Sequence, residues 1–230
     1  YEEYLDAIET HDVTLYRTQA GDSIQMSGID VQVLAPPEGY LADEDSNENS
    51  LVLHLQFGES SFLLPGDGET ASEEYLVETY GDSLYSTILA VGHHGSQSST
   101  SEAFLEAVSP RAAVISSAYD SQYGHPHEEV LERLKSHSVP TYWTATHGTV
   151  VFTSNGSAVT VATQQAAPTT ATQLRSGDPI EPGTESLVTE RVVIDADGSG
   201  TAPITEPTET TTDAPSTSTA TDGGYPVEVA

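Results

Sequence analysis

The sequence predicts an α/β fold, a sheet covered by helices. Short apolar runs alternate with helix-like segments through the middle of the chain, the pattern of strands joined by helical crossovers. Several of these runs end in glycine-containing turns that set polar side chains just past a buried strand. After about residue 165 the apolar residues thin out and Thr, Pro, Ser, Gly and acids take over. A packed domain is therefore expected over 1–165. The remainder, 166–230, is expected to be a low-complexity, disordered linker or tail, because it cannot bury enough apolar surface to offset its ordering entropy.

Taken in order, Asp12–Arg17 and Ile29–Leu34 alternate apolar with polar residues and read as short strands around a Gly21-Asp22 turn. Pro36-Pro37 closes that run, and Glu38–Ser50 is polar loop. In Leu51–Phe57, Leu51, Leu53, Leu55 and Phe57 share one face. Gly58-Glu59-Ser60 then turns the chain into Ser61–Leu64, completing a hairpin, with Gly66 and Asp67 at its end. Thr70-Ala71-Ser72-Glu73 has the form of a capping box and opens a helix to about Tyr80, stopped by Gly81. Ile88–Val91 is continuously apolar, hence a buried strand, and His93-His94 follow it.

Ser101–Val108 is a short helix ended by Pro110, and Ala112–Ile115 is the next buried strand. The loop Ser116–Gly124 leads to His125. Pro126 is expected at the first helical position, with Glu128 and Glu129 in the first turn of a helix reaching about Ser136. Strands at Thr141–Thr144, Thr149–Thr153 and Ala158–Ala162 complete the domain.

The charge is extreme: 36 Asp+Glu against 6 Lys+Arg, a net −30, with the acids spread along the chain. Such a surface predicts adaptation to high salt, where the screening length shrinks to about 3 Å at 1 M. In dilute buffer it argues against nucleic-acid binding, which needs Lys and Arg on phosphates. In molar salt those contacts can pass through metal ions and neutral donors. The absence of cysteine excludes disulfides and thiolate ligands. No stretch approaches the roughly 18 apolar residues of a membrane span. Thr205–Thr221, rich in hydroxyls and proline, reads as a stalk and favours the cell exterior over the cytoplasm. The chain opens at Tyr1 without methionine and is expected to be a fragment.

Three places can carry chemistry. Asp67, at a strand's carboxyl end after glycine, can offer both oxygens to metal ions, or it is a turn aspartate. His93 and His94 are adjacent, so in an extended segment they point apart and at most one faces a given ion. Ser96, Ser98 and Ser99 offer hydroxyls to a phosphate or an imidazole. His125 enters a helix beside Pro126. His54, His127, His137 and His147 read as structural.

Four strings occur in order: Asn49-Ser50-Leu51-Val52 with Phe62-Leu63-Leu64, Gly66-Asp67-Gly68-Glu69, Gly92-His93-His94-Gly95-Ser96, and Tyr123-Gly124-His125-Pro126-His127. Together, over about Gly21–Thr153, they resemble the C-terminal half of a metallo-β-lactamase-fold hydrolase of the ComEC-type DNA-uptake (competence) group and its soluble haloarchaeal homologues. The resemblance implies a partial αββα sandwich and two divalent ions, zinc or manganese. It implies that Asp67 bridges the ions and His125 binds one. The His93/His94 pair would complete the shell or contact the phosphate, with the histidine roles exchangeable. Catalysis would rest on Asp67, His94 and His125, with DNA or another phosphodiester as substrate. The group's leading HxHxDH-like loop is absent here. The implied partner is therefore an upstream half of the same domain, and this chain alone is expected to be inactive. Two alternatives stand: a lactone, thioester or β-lactam hydrolase, and a non-catalytic surface module.

Overall fold

A computed structural model of the chain describes residues 2–181, 183–184, 187–197, 201–203 and 225–228. After a helix α1 (Glu2–Thr10), two hairpins form, β1 (Ser23–Met26) with β2 (Ile29–Ala35) and β3 (Val52–Phe57) with β4 (Ser60–Leu64). Then strand and helix alternate: α2 (Thr70–Tyr80), β5 (Ile88–Ala90), α3 (Glu102–Val108), β6 (Ala112–Ile115), α4 (Glu128–Ser136) and β7 (Thr141–Trp143). A short helix α5 (Thr144–His147) leads to β8 (Val150–Ser154), β9 (Ala158–Thr163), β10 (Thr189–Asp195), β11 (Thr201–Pro203) and β12 (Tyr225–Glu228).

Strands β1 to β7 lie in sequence order in one seven-stranded mixed sheet. The first four pair antiparallel, and β4, β5, β6 and β7 pair parallel. Each parallel step needs a crossover. Successive steps in one direction with right-handed connections put every crossover helix on the same face. The residues obey this. Leu63, Leu89, Ala113 and Ile115 pack with Leu76, Phe104, Leu105, Leu131 and Leu134 of the helices. Their strand neighbours Phe62, Ile88, Ala112 and Val114 face the other way, onto Val150, Phe152, Val159, Val161 and Ile194 of a second sheet. That sheet is antiparallel, in the order β11-β10-β9-β8-β12. Among the described residues the layers are therefore helix, sheet, sheet: a mixed α/β fold. With both faces covered, β6 reads as four consecutive buried residues.

Several expectations are corrected. Asp12–Arg17 is not a strand. Val13, Leu15 and Tyr16 are 56%, 63% and 80% exposed, because no neighbouring strand accepts their alternation. Pairing starts instead at Ser23–Met26, where Ser27-Gly28 forms a two-residue turn with Gly28 at φ +81°. Helix α1 was not anticipated, and it buries none of its residues. The capping box does not close either. The Glu48 carboxylate accepts from the Ala71 and Ser72 amides at 3.1 and 2.8 Å, which frees Glu73 for another task. Pro126 follows a cis peptide bond and precedes the helix, whose N-cap is His127.

Packed structure also continues past residue 165. Ala171 and Leu174 are buried in the 3-10 turn Ala171–Ser176, and Ile194 is buried on β10. These apolar residues are widely spaced in a polar stretch, so local composition conceals them. The stalk-like Thr205–Thr221 lies outside the described residues. No helix among the described residues is long and apolar enough to cross a membrane.

Candidate functional site

Parallel strands deliver their carboxyl ends to one edge, where loops can converge. β4 runs into Gly66-Asp67-Gly68-Glu69, β5 into Gly92–Gly95, and β6 into the long loop to His127. Backbone bonds tie the loops together: the His93 amide donates to the Gly66 carbonyl at 3.0 Å, and the His127 amide to the Gly95 carbonyl at 2.9 Å. The Asp67 amide donates to Ser50 Oγ at 3.1 Å.

The two adjacent histidines are not extended, as the sequence suggested. Both are left-handed, with φ of 48° and 55°, a conformation that costs non-glycine residues energy and recurs at functional sites. The turn separates them. His94 Nδ1 lies 2.7 Å from the Ser116 carbonyl, and a carbonyl can only accept, so Nδ1 carries the proton. In the neutral ring Nε2 then presents its lone pair, 3.7 Å from Asp67 Oδ1. This backbone-anchored imidazole is the arrangement a metal-ligating histidine uses. His93 turns inward instead. Its Nδ1 is 3.0 Å from Glu69 Oε1, without the alignment of a hydrogen bond. Glu69 also accepts from Asn47 Nδ2 at 3.2 Å.

His125 is buried at 7% exposure. Its ring meets His93 edge-on at 5.6 Å and His127 edge-on at 4.8 Å, with Tyr123 at 5.8 Å. Burial, then the neighbouring His127, His93 and His94, hold its pKa below the usual histidine range, against an opposing pull from Asp67. It is thus a neutral imidazole within the electrostatic reach of Asp67. His127 is occupied: the Gln97 amide donates to its Nδ1 at 3.0 Å, which leaves the proton on Nε2 when the ring is neutral.

The serines divide. Ser96 and Ser98 hydroxyls lie 2.9 Å apart and bond each other. Ser99, expected as a substrate-binding hydroxyl, is 1% exposed and donates to the Gly68 carbonyl at 2.8 Å, so it staples two loops. Buried Glu73 accepts from the Thr100 and Ser101 amides. Arg133 donates to the Thr100 and Ser99 carbonyls, both at 2.8 Å. The serine loop is thereby clamped from α2 and α4. Arg175 does the same for the His125 loop. It donates to the Pro126, Gly124 and Tyr119 carbonyls at 3.1, 3.3 and 3.4 Å, with its guanidinium 5.2 Å over the Trp143 ring.

Two ligands of a tetrahedral ion at about 2.0–2.1 Å lie roughly 3.3 Å apart. The Asp67–His94 pair is close to that spacing, and a carboxylate with neutral imidazoles suits a borderline divalent cation. The residues present fit such an ion in part. Among the described residues no three His, Asp or Glu side chains close on a single point. Glu69, His127, Glu73, Arg133 and Arg175 were not legible as site residues. Glu69 and His127 had a local signal, standing two positions after Asp67 and His125 respectively.

No protein-family model matches the chain. It is 42% identical over 128 residues, 56% of its length, to Competence protein ComA of Neisseria gonorrhoeae, 18% of which is covered. It is 33% identical over 151 residues, 66% of its length, to ComE operon protein 3 of Bacillus subtilis, 19% of which is covered. With Recombination protein 2 of Haemophilus influenzae the identity is 36% over 137 residues, covering 17% of that protein. The chain is related to competence proteins, and it spans less than a fifth of the length of these relatives.

Proposed function

We propose that this competence-related chain carries part of the active site of a metal-dependent hydrolase of the metallo-β-lactamase kind, acting on phosphodiesters and specifically on DNA. One observation carries the reading: a carboxylate and a backbone-anchored imidazole, Asp67 Oδ1 and His94 Nε2, face each other at 3.7 Å. When bound, zinc or manganese ions would supply an acidified water and positive charge against the phosphodiester. The chain's own residues prepare for this. Ser116 fixes the tautomer of the neutral His94 ring, so that Nε2 is the nitrogen left to donate a lone pair. Burial keeps His125 neutral, fit to bind a cation or to accept a proton. Asp67 and His94, with side chains 43% and 55% exposed, open to an incoming substrate. The remaining ligands would come from protein packed against the exposed apolar residues near the amino end, Val13, Leu15, Tyr16, Ile24 and Met26.

The test is hydrolysis of single-stranded DNA, and separately of a generic lactone, by a protein of the relatives' length that carries this sequence. In Mn²⁺ or Zn²⁺, Asp67→Asn and His94→Gln are each expected to lower kcat/KM on DNA by about 10²-fold or more. Turnover of the lactone but not of DNA would move the substrate class. A preparation that holds no transition metal and gains nothing from Mn²⁺ would overturn the reading in favour of a binding module.

A further inference from the structure

Away from the histidine cluster, a cavity of about 300 Å³ lies between Pro140 and Tyr142 on one side, the segment from Thr163 to Thr169, and β10. Its size is at the low end for small-molecule pockets. None of the described residues lining it is acidic, in a chain with six acids for every base. Among those residues the one full charge is positive, that of Arg191. His147 Nδ1 lies 3.1 Å from the Trp143 amide and 3.2 Å from the Trp143 carbonyl, which holds the ring against its own short helix. His147 Nε2 is buried against the Ala167 backbone. The Tyr142 ring stands 5.2 Å from the His147 ring, and its hydroxyl, pushed up to about 12, stays protonated.

Arg191 is brought there by a deliberate irregularity. Glu190 pairs with Ala162 and Val192 with Val161, so Arg191 is an extra residue on β10, a β-bulge. Regular alternation would send Arg191 to the opposite face from Val192 and Ile194, yet all three line the cavity. Bulges re-aim side chains in this way beside functional sites. Arg191 spends Nε and Nη2 on Thr163 at 2.9 and 3.3 Å, which holds the guanidinium in place.

We propose that this cavity binds a small organic anion, a carboxylate on an apolar body. Arg191 and the Tyr142 hydroxyl would meet the carboxylate, and Ala166, Val192 and Ile194 would take the body. The inference is independent of the metal reading, since none of these residues belongs to that cluster.

The probe is sodium benzoate, titrated into the 230-residue chain at constant NaCl and followed by calorimetry and by Tm, with inorganic phosphate as the second arm. Benzoate is expected to bind saturably and raise Tm, and phosphate at equal concentration to do neither. Arg191→Met should weaken benzoate at least about 10-fold. Tyr142→Phe, which removes one hydroxyl and leaves the ring packing, should weaken it about 3-fold. The proposal fails if benzoate shows no saturation by about 100 mM, if phosphate binds as well or better, or if both variants bind benzoate as the wild type does.

Discussion

At Gly95 the chain turns with φ +85°, and an added Cβ would sit 2.6 Å from Pro126 Cβ and 3.0 Å from its Cα. The neighbour is a ring beside the His125 backbone, so it cannot swing aside as a flexible side chain would. Gly95→Ala is expected to cost about 1–3 kcal/mol from overpacking beyond the backbone strain. Gly21→Ala is the control, because it carries similar strain at φ +93° while its Cβ meets nothing within 4 Å. Urea denaturation of the two variants should separate clash from strain, and equal losses would refute the packing argument. His147 gives a second residue-level prediction. Burial, opposed by backbone hydrogen bonds, lowers its pKa from 6.5. As pH falls below 6.5 the unfolded chain therefore takes up a proton that the folded chain refuses. The stabilisation is full above 6.5 and is lost as pH drops towards the folded value, by up to about 1.4 kcal/mol per pH unit. His147→Gln should flatten stability between pH 7.5 and 5.5 by at most one proton, leaving the lowered His54 to account for part of the remaining slope. An unchanged slope would remove His147 from that account.

Among the elements, loops do the positioning and helices hold the loops. Glu73 of α2 meets the buried Thr100 amide and the part-buried Ser101 amide of the serine loop, so Glu73→Ala leaves both without this partner and is expected to cost about 2–4 kcal/mol. Arg175 reaches across from the 3-10 turn to three carbonyls of the His125 loop. Arg175→Met keeps the length of the stem over Trp143 and removes the donors. Hydrogen exchange of residues 119–127 should then rise while exchange in β5 and β6 stays as it was. Protection lost equally everywhere would mean that Arg175 supports the fold at large. These couplings explain what was legible. The alternating hairpin Leu51–Leu64, the buried runs at Ile88 and Ala112, and the turns bearing Asp67, His94 and His125 announce themselves by local period and glycine. The left-handed turn at His93-His94 does not, because its reason is the Gly66 and Ser116 carbonyls it must meet. Nor does the role of Arg175, 49 residues from Pro126 in sequence, which sits in a stretch whose composition reads as linker.

Over the whole molecule, the basic residues do little to offset the acids. Arg133 and Arg175 are turned onto backbone carbonyls, Arg191 onto Thr163, and Lys135 stands a loose 3.5 Å from Glu132. The net charge of −30 must then be tolerated by screening, and the folded state brings those carboxylates closer together than the unfolded chain does. At 1 M salt the screening length is about 3 Å, and at 0.1 M it is about 10 Å, long enough for neighbouring surface carboxylates to repel one another. The chain is therefore expected to gain stability steadily as NaCl rises from about 0.1 to 2 M. Sucrose strengthens burial by exclusion but screens nothing, so at equal osmolality it should raise Tm much less. A second lever sits on α1, where Glu2, Glu3, Asp6 and Glu9 are exposed on a helix that buries nothing. Changing all four to their amides removes charge without touching packing, and should raise Tm at 0.1 M NaCl while leaving it nearly unchanged at 2 M. Tm values independent of NaCl, or raised as much by sucrose, would show that repulsion among the carboxylates does not govern this fold.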